Sequence, residues 1–189
     1  MSWAYADDVA HALETGRPFS YDDLQEMPDD GHRHELVDGV LNVTPSPSWR
    51  HQDVVANLLM LLKASLGPDL VAVAARADYK VSDATVLEPD LIVARRADVE
   101  LKYLQRTPIL VVEVLSPSTR FIDFGTKRLA FEAAGVPAYW LVDPDAPGIT
   151  ELRLEEGRYV ERTTVSGDEE FVTDFPVPVR FAPSSLVTI

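Results

Sequence analysis

The chain has 189 residues, of which 46% are hydrophobic and 25% are charged, a composition typical of a globular protein with one hydrophobic core. It contains no cysteine, which excludes disulfide frameworks, zinc–thiolate sites and cysteine nucleophiles and fits a reducing cytoplasm. The formal net charge of -14 disfavours nucleic acid as a partner of the surface as a whole, because an acidic protein repels a polyanion.

No targeting signal or membrane span is predicted. The N-terminal residues include Asp7, Asp8 and Glu14 and lack a basic start followed by an apolar block. No apolar run approaches the roughly 18 residues that a membrane helix needs. The sequence therefore predicts a cytoplasmic protein with a single domain over residues 1–189, in which residues 1–30 form a peripheral helical segment.

Capping and turn residues delimit the predicted elements in the first half of the chain. Ser20 and Ser48 are typical helix N-caps, and Asp38-Gly39 accepts the positive φ angles of a two-residue hairpin turn. The predicted elements, in chain order, are a helix over 21–27, a hairpin over 33–43, a helix over 49–66 and a strand over 70–77 that residues 79–81 continue after a bend.

The second half is predicted to add further strands and one helix. In chain order these are a strand over 89–94, a charged excursion with a short helix over 95–106, a central strand over 109–115, a helix over 122–134, a strand over 138–143, a hairpin over 149–154 and 158–164, and an extended Pro-rich tail. This order predicts an α/β (α+β) domain, with a mixed β-sheet core flanked by helices.

Two carboxylates interrupt the most apolar predicted strands. Glu113 lies in the central strand on the same face as Val111 and Leu115, and Asp90 lies at the start of the strand before it. A buried carboxylate is costly unless it is paired, protonated or bound to a metal. If the two strands are neighbours, the acids approach each other, and Mg²⁺ or Mn²⁺ would offset their repulsion.

Three further side chains are candidates to join these acids. Glu35 lies in the first hairpin, and His51 begins the apolar face of the helix over 49–66. Lys127 shares a helical stripe with Phe124 and Phe131 that is predicted to face the sheet. A lysine at that position would stabilise developing negative charge or orient a water.

Each candidate also has a structural interpretation that the sequence leaves open. Asp90 is typical of a strand start after a proline, and Glu113 of a buried ion pair with Lys127 or Arg120. Glu35 could form a cross-strand pair with Arg33 or a neighbouring residue, and Lys127 could extend its ammonium to solvent. His51 could cap its own helix or make a buried hydrogen bond, and Asp123 is typical of a helix start, where the helix dipole favours an acid. The absence of Gly-x-Ser-x-Gly, Gly-rich phosphate-loop, Rossmann and zinc motifs disfavours those classes.

A combination of motifs spreads over most of the chain. It consists of Glu35-Leu-Val-Asp-Gly39, His51 at a helix start, Pro89-Asp90, Glu113-Val-Leu-Ser-Pro-Ser-Thr119, Asp123 with Lys127, and Gly135-Val-Pro-Ala-Tyr-Trp-Leu-Val-Asp-Pro144. In this combination the chain resembles the Uma-type restriction-endonuclease family, which is part of the PD-(D/E)XK nuclease superfamily. The resemblance covers roughly residues 21–154.

The resemblance implies a restriction-endonuclease-like core and magnesium-dependent endonuclease activity that hydrolyses DNA phosphodiester bonds. It assigns Asp90, Glu113 and the backbone carbonyl of Val114 as metal ligands, with Mg²⁺ or Mn²⁺ as the cofactor. It also implies a homodimer, because members of the superfamily often cleave as pairs.

The same resemblance places Glu35, Lys127 and His51 in the catalytic set with the two metal-binding acids. The lysine of the superfamily normally lies two residues beyond the second acid, where this chain has Leu115. Lys127, from the following helix, is the expected spatial substitute.

DNA would be contacted through a local basic rim formed by Arg33, Arg50, Arg120, Lys127 and Arg128. The main alternative is a catalytically inactive binding or assembly module on the same fold, which the net charge and Leu115 both favour. A hydrolase of RNA or of small phosphate compounds is a further alternative.

Overall fold

The computed structural model describes residues 16–74, 77–100, 102–116 and 123–189. The strands in these ranges are β1 (Arg33–Val37), β2 (Val40–Thr44), β3 (Leu70–Ala74), β4 (Tyr79–Lys80), β5 (Val86–Leu87), β6 (Leu91–Arg95), β7 (Leu110–Val114), β8 (Ala138–Asp143), β9 (Gly148–Glu155), β10 (Arg158–Ser166), β11 (Phe171–Thr173) and β12 (Val179–Phe181). The α-helices are α1 (Tyr21–Gln25), α2 (Trp49–Ser65) and α3 (Arg128–Ala133). A π-helical turn spans Asp123–Lys127, and 3₁₀ turns span Arg96–Asp98 and Pro183–Leu186.

A six-stranded mixed sheet with the order β10-β9-β8-β7-β6-β3 forms the centre of the fold. Strands β7 and β8 pair in parallel, and the other neighbours pair antiparallel. A parallel pair needs a crossover connection, which here includes α3. The predicted mixed sheet flanked by helices is confirmed.

Alternation along β7 divides its side chains between two hydrophobic clusters. Val112 packs with Val54 and Leu58 of α2 and with Trp140 of β8, on one face of the sheet. Val111 and Leu115 pack on the other face, in the cluster that contains Phe131 of α3. Glu113 lies between Val111 and Leu115 in this alternation, so its side chain is directed toward the face that α3 covers.

A smaller sheet with the order β2-β1-β5-β4 lies beside the large one. The predicted hairpin forms β1 and β2, and Asp38 and Gly39 adopt positive φ angles of 50° and 76° at its turn. The prediction that residues 79–81 continue the strand over 70–77 is wrong, because β4 pairs with β5 in the small sheet. Residues 75–76 lie outside the described residues.

The helix predicted over 122–134 differs from the observed structure in its first turn. Residues 117–122 lie outside the described residues, and the helical stretch that follows begins with the π-helical turn. A π-helical turn has more residues per turn than an α-helix, so the side chains within it are rotated relative to α-helical positions counted back from Phe131. Phe124 is therefore 44% exposed and does not face the sheet as predicted, whereas Lys127 and Phe131 are buried.

The tail, predicted to be extended, contains two short strands and completes the core. Strands β11 and β12 pair antiparallel, and Phe171 packs edge-to-face against Trp140 with ring centroids 5.1 Å apart. At the other end of the described chain, Ser20 caps α1 as predicted, while residues 1–15 lie outside the described residues. None of the helices in the described part of the chain is long and apolar enough to cross a membrane.

Two hairpin glycines provide a matched test of the packing that holds the small sheet. Gly39 and Gly157 both have positive φ, but a Cβ at Gly39 would lie 2.5 Å from Pro18 Cβ, whereas a Cβ at Gly157 would meet no atom within 4 Å. We expect Gly157→Ala to lower the free energy of unfolding by roughly 1–2 kcal/mol through backbone strain. We expect Gly39→Ala to cost a further ~1–3 kcal/mol through the steric overlap. Urea unfolding measures both, and equal losses would contradict this packing.

Candidate active site

Asp90 and Glu113 meet where the large sheet adjoins the small one. Leu91 pairs with Val112 in the antiparallel register of β6 and β7, so Asp90, one residue before β6, lies opposite Glu113. Residues opposite each other project from the same face of a sheet. Both side chains are buried, and Glu113 is 0% exposed. The prediction that the two acids approach each other required neighbouring strands, and the pairing of β6 with β7 confirms that they are neighbours.

Lys127 links the carboxylates of the large and small sheets. Its Nζ lies 2.6 Å from Glu113 Oε1 and 2.8 Å from Glu35 Oε1. Asp123 Oδ1 is 4.0 Å away, one turn earlier in the same helical stretch. Lys127 is only 1% exposed, so it does not snorkel to solvent. The ion pair between Glu113 and Lys127, one of the structural interpretations of the sequence, is present.

Asp90 is fixed by three donors from three different elements. Arg33 Nη1, from β1, donates to Oδ1 at 2.9 Å, and His51 Nε2, from the first turn of α2, lies 3.3 Å from the same oxygen. The backbone N–H of Val114 donates to Oδ2 at 2.8 Å. Arg33 also reaches Glu35, with Nε 3.4 Å from Oε2; the pair was predicted, but it forms within β1 and not between two strands.

The two central carboxyl groups have opposite pKa shifts. Burial raises the pKa of Glu113 well above its usual value, and the nearby charges of Asp90 and Asp123 add to this, while Lys127 only partly opposes it. Burial also acts to raise the pKa of Asp90, but the hydrogen bond and charge of His51, together with the charge of Arg33, lower it to about 2. Asp90 is thus held ionised, and Glu113 retains a proton more tightly than an exposed glutamate.

Lys127 remains cationic in this cluster. Its burial acts to lower its pKa, but the negative charges of Glu113 and Glu35 outweigh burial and raise the pKa. Its side chain therefore supplies a permanent positive charge in a region that excludes water.

Negative charge is in excess among the described residues of this cluster. Four buried acids, Glu35, Asp90, Glu113 and Asp123, face two permanent cations, Arg33 and Lys127, with His51 beside them. Within the described residues, no hydrogen-bond partner reaches Glu113 Oε2, which is buried. A buried oxygen with an excess of negative charge around it fits a divalent cation.

A divalent cation would have two carboxylates in this cluster as its ligands. No group of three His, Asp or Glu side chains in the described parts of the chain is arranged to hold a metal. Mg²⁺ does not need such a group, since it keeps several waters and commonly binds one or two carboxylates together with substrate phosphates. Asp90 and Glu113 therefore suit Mg²⁺ better than a metal that requires a full set of protein ligands.

All five side chains that the sequence singled out as catalytic meet in this cluster: Glu35, His51, Asp90, Glu113 and Lys127. Leu115, in the position usual for the lysine, is buried in the apolar cluster around Phe131. Ser48, and not His51, caps α2. Of the two structural roles open to His51 in the sequence, the structure therefore shows the buried hydrogen bond, to Asp90. Arg33 was predicted as part of a rim and as a partner of Glu35, but not as a partner of Asp90, although its position two residues before Glu35 places both on one face of β1.

The predicted basic rim is not shown. Arg33 and Lys127 are engaged with the acids inside the cluster. Arg50 lies 3.8 Å from Asp145, and Arg128 donates to the carbonyl of Tyr159 at 3.4 Å. Arg120 lies outside the described residues. The site thus presents carboxylates and two paired cations rather than a band of free positive charge.

Comparison with known proteins assigns the chain to a family. The Uma2 family, described as "Putative restriction endonuclease", matches residues 21–181. The chain belongs to the Uma2 family. The Uma2 fold is also similar to the crystal structure of "a putative nuclease belonging to DUF820" from Anabaena variabilis, with a TM-score of 0.69 and 19% identity over 89% of this chain and 97% of that one. A search of curated proteins finds no match.

The raised pKa of Glu113 predicts an unusual dependence of stability on pH. The Glu113 carboxyl binds its proton more tightly in the folded than in the unfolded state. The folded state therefore loses stability as the pH rises from the pKa of this carboxyl in the unfolded chain through its higher pKa in the folded protein. Glu113→Gln removes this loss, so we expect the variant to gain stability relative to the wild type as pH rises. Urea unfolding over a pH series measures the difference.

Glu132→Gln is the matched control. Glu132 is also buried, but the backbone N–H of Tyr159 and the side chain of Arg158 lower its pKa. Its contribution is present above the unfolded pKa and lost as pH falls. Glu132→Gln should therefore be less stable than the wild type at neutral pH, with the difference shrinking in acid. The same slope for both variants would contradict the described electrostatics.

Proposed function

We propose that this chain is a magnesium-dependent endonuclease that hydrolyses DNA phosphodiester bonds. The observation that carries the proposal is the buried carboxylate of Glu113, which lies opposite Asp90 and has one oxygen on Lys127 and the other without a described partner. Membership of the Uma2 family supports the reaction class. The excess of buried acids supports the cation.

Asp90 and Glu113 would hold Mg²⁺ or Mn²⁺, with the backbone carbonyl of Val114. When bound, the cation supplies Lewis-acid chemistry: it polarises a phosphate and lowers the pKa of an attacking water. Oxygen ligands of this kind are those that both ions prefer.

The surrounding side chains prepare these ligands. Arg33, His51 and the N–H of Val114 fix the orientation of Asp90 and keep it ionised. Glu35 is fixed in turn by the backbone N–H of Glu88, which donates to Oε1 at 2.8 Å. Ligands held by such outer contacts need little reorganisation when the cation and substrate arrive.

Lys127 would neutralise charge that develops on the phosphate during cleavage. It approaches Glu113 from the π-helical turn before α3, whereas the usual position, one residue after β7, is occupied by Leu115. A buried ammonium stabilises a developing anion more strongly than an exposed one, because the local dielectric is low. Lys127 thereby provides the charge that Leu115 cannot.

Removing the charge of Asp90 is expected to abolish cleavage. Asp90→Asn should lower the rate at which supercoiled plasmid is nicked with Mg²⁺ or Mn²⁺ by at least about 100-fold, because the nearly isosteric amide lacks the negative charge and binds the cation much more weakly. Glu132→Gln, which removes a buried carboxylate outside the cluster, should keep wild-type activity. Nicking that survives in Asp90→Asn would contradict the assignment. Lack of nicking by the wild type with both metals would favour the inactive binding module.

Metal binding is expected to strengthen as pH rises, because Glu113 must release its tightly held proton to coordinate a cation. Calorimetric titration with Mn²⁺ measures the affinity without a need for catalysis. We expect the wild-type affinity to increase with pH and Glu113→Gln to bind about 10–100-fold more weakly at neutral pH. Equal affinities for the two proteins would show that the cation does not bind Glu113.

A further inference from the structure

We propose that the substrate of this site is single-stranded DNA and that the Trp49 indole stacks on one of its unpaired bases. This inference rests on the proposed nuclease function and specifies its substrate. Trp49 is a large aromatic side chain exposed to solvent, on the helix that contributes His51 to the acid cluster.

Trp49 is the first residue of α2 and is 86% exposed. His51, in the same helical turn, lies 3.3 Å from Asp90. One turn of helix rises only about 5.4 Å, so the backbone of Trp49 lies within one turn of a residue of the cluster, while side chains two positions apart leave the helix on different sides. An exposed apolar side chain is common on protein surfaces when it stands alone. The surroundings of Trp49 are what distinguish it.

Trp49 lies in a segment of the chain that contains no acid. Residues 40–52 include neither Asp nor Glu, although the chain has 31 of them in 189 residues. The segment runs beside the cluster, because Asn42 pairs with Glu35 and Thr44 pairs with Arg33 in the β1–β2 register. A nucleic acid that approaches the site over this segment meets no negative side chain from it.

The charges of the molecule favour base stacking over phosphate attraction. The net charge is -14, and Arg33 and Lys127 are already engaged with buried carboxylates. An acidic surface repels the phosphates of duplex and single-stranded DNA alike, and a duplex in addition buries the faces of its bases. A single strand exposes the faces of its bases, and stacking on an aromatic ring does not depend on the charge of the protein.

Arg50 supplies one cation next to the indole. Its guanidinium lies 3.8 Å from Asp145, and both side chains are exposed. An exposed pair at this distance is weak, so the guanidinium can exchange the carboxylate for a phosphate of the bound strand. Trp49 and Arg50 therefore offer a stacking surface and a phosphate contact at adjacent positions.

Binding of a fluorescein-labelled oligonucleotide, followed by anisotropy in EDTA, tests the inference without cleavage. The probes are one mixed-sequence single strand, the same strand annealed to its complement, an abasic strand of equal length and the RNA strand of the same sequence. We expect the wild type to bind the DNA single strand at least about tenfold more tightly than the duplex or the abasic strand.

The variants separate stacking from other contributions. Trp49→Ala should lose about tenfold in affinity for the single strand and show no change on the abasic strand, while Trp49→Phe should keep most of the affinity. Met60→Ala, which removes a 63% exposed side chain from a distant turn of the same helix, should match the wild type. Wild-type affinity in Trp49→Ala, equal binding of duplex and single strand, or tighter binding of the RNA would overturn the inference.

A cleavage assay on the same strands with Mg²⁺ distinguishes the two proposals. If the protein cleaves duplex DNA and Trp49→Ala cleaves it equally well, the nuclease function stands and the single-strand assignment fails. If Trp49-dependent binding of the single strand occurs without cleavage of any probe, the strand recognition stands and the nuclease function fails.

Discussion

A buried surplus of negative charge is the constraint around which this fold is organised. Glu113 and Asp90 lie together in the interior, and Lys127, itself almost completely buried, cannot balance them and Glu35 alone. Burying ions costs more than their pairing returns unless the geometry satisfies nearly every atom. The pKa of Glu113 is raised and that of Asp90 is lowered, so the two neighbouring acids hold their protons with opposite strength.

Elements far apart in the sequence are needed to build this cluster. The antiparallel pair β6–β7 sets the two acids opposite each other, β1 contributes Arg33 and Glu35, α2 contributes His51, and the π-helical turn contributes Lys127. The π-helical turn brings Lys127 within reach of Glu113 from outside the strand that carries it. A lysine from outside β7 thus places its ammonium beside Glu113, while Leu115 packs in the apolar core.

The sequence was most informative where burial and chemistry conflict. A carboxylate within the apolar run of β7 pointed to Glu113, and helical spacing from Phe131 pointed to Lys127, because a core excludes such groups unless something holds them. Phe124 was misplaced because α-helical periodicity does not anticipate a π-helical turn. Strands β4 and β5 have only two residues each, too few to show any alternation, and the pairing of β5 with β1 depends on contacts distant in the sequence. Phe171 and Phe181 enter the core through the same kind of distant contact.

Anomalous diffraction from a crystal grown in Mn²⁺ shows whether Asp90 and Glu113 share a divalent cation. We expect one manganese peak within bonding distance of carboxylate oxygens of both residues, with Lys127 still beside Glu113. An ordered cluster with the ion pairs described here and no anomalous peak between the two acids would contradict it, and would identify the buried charges as structural.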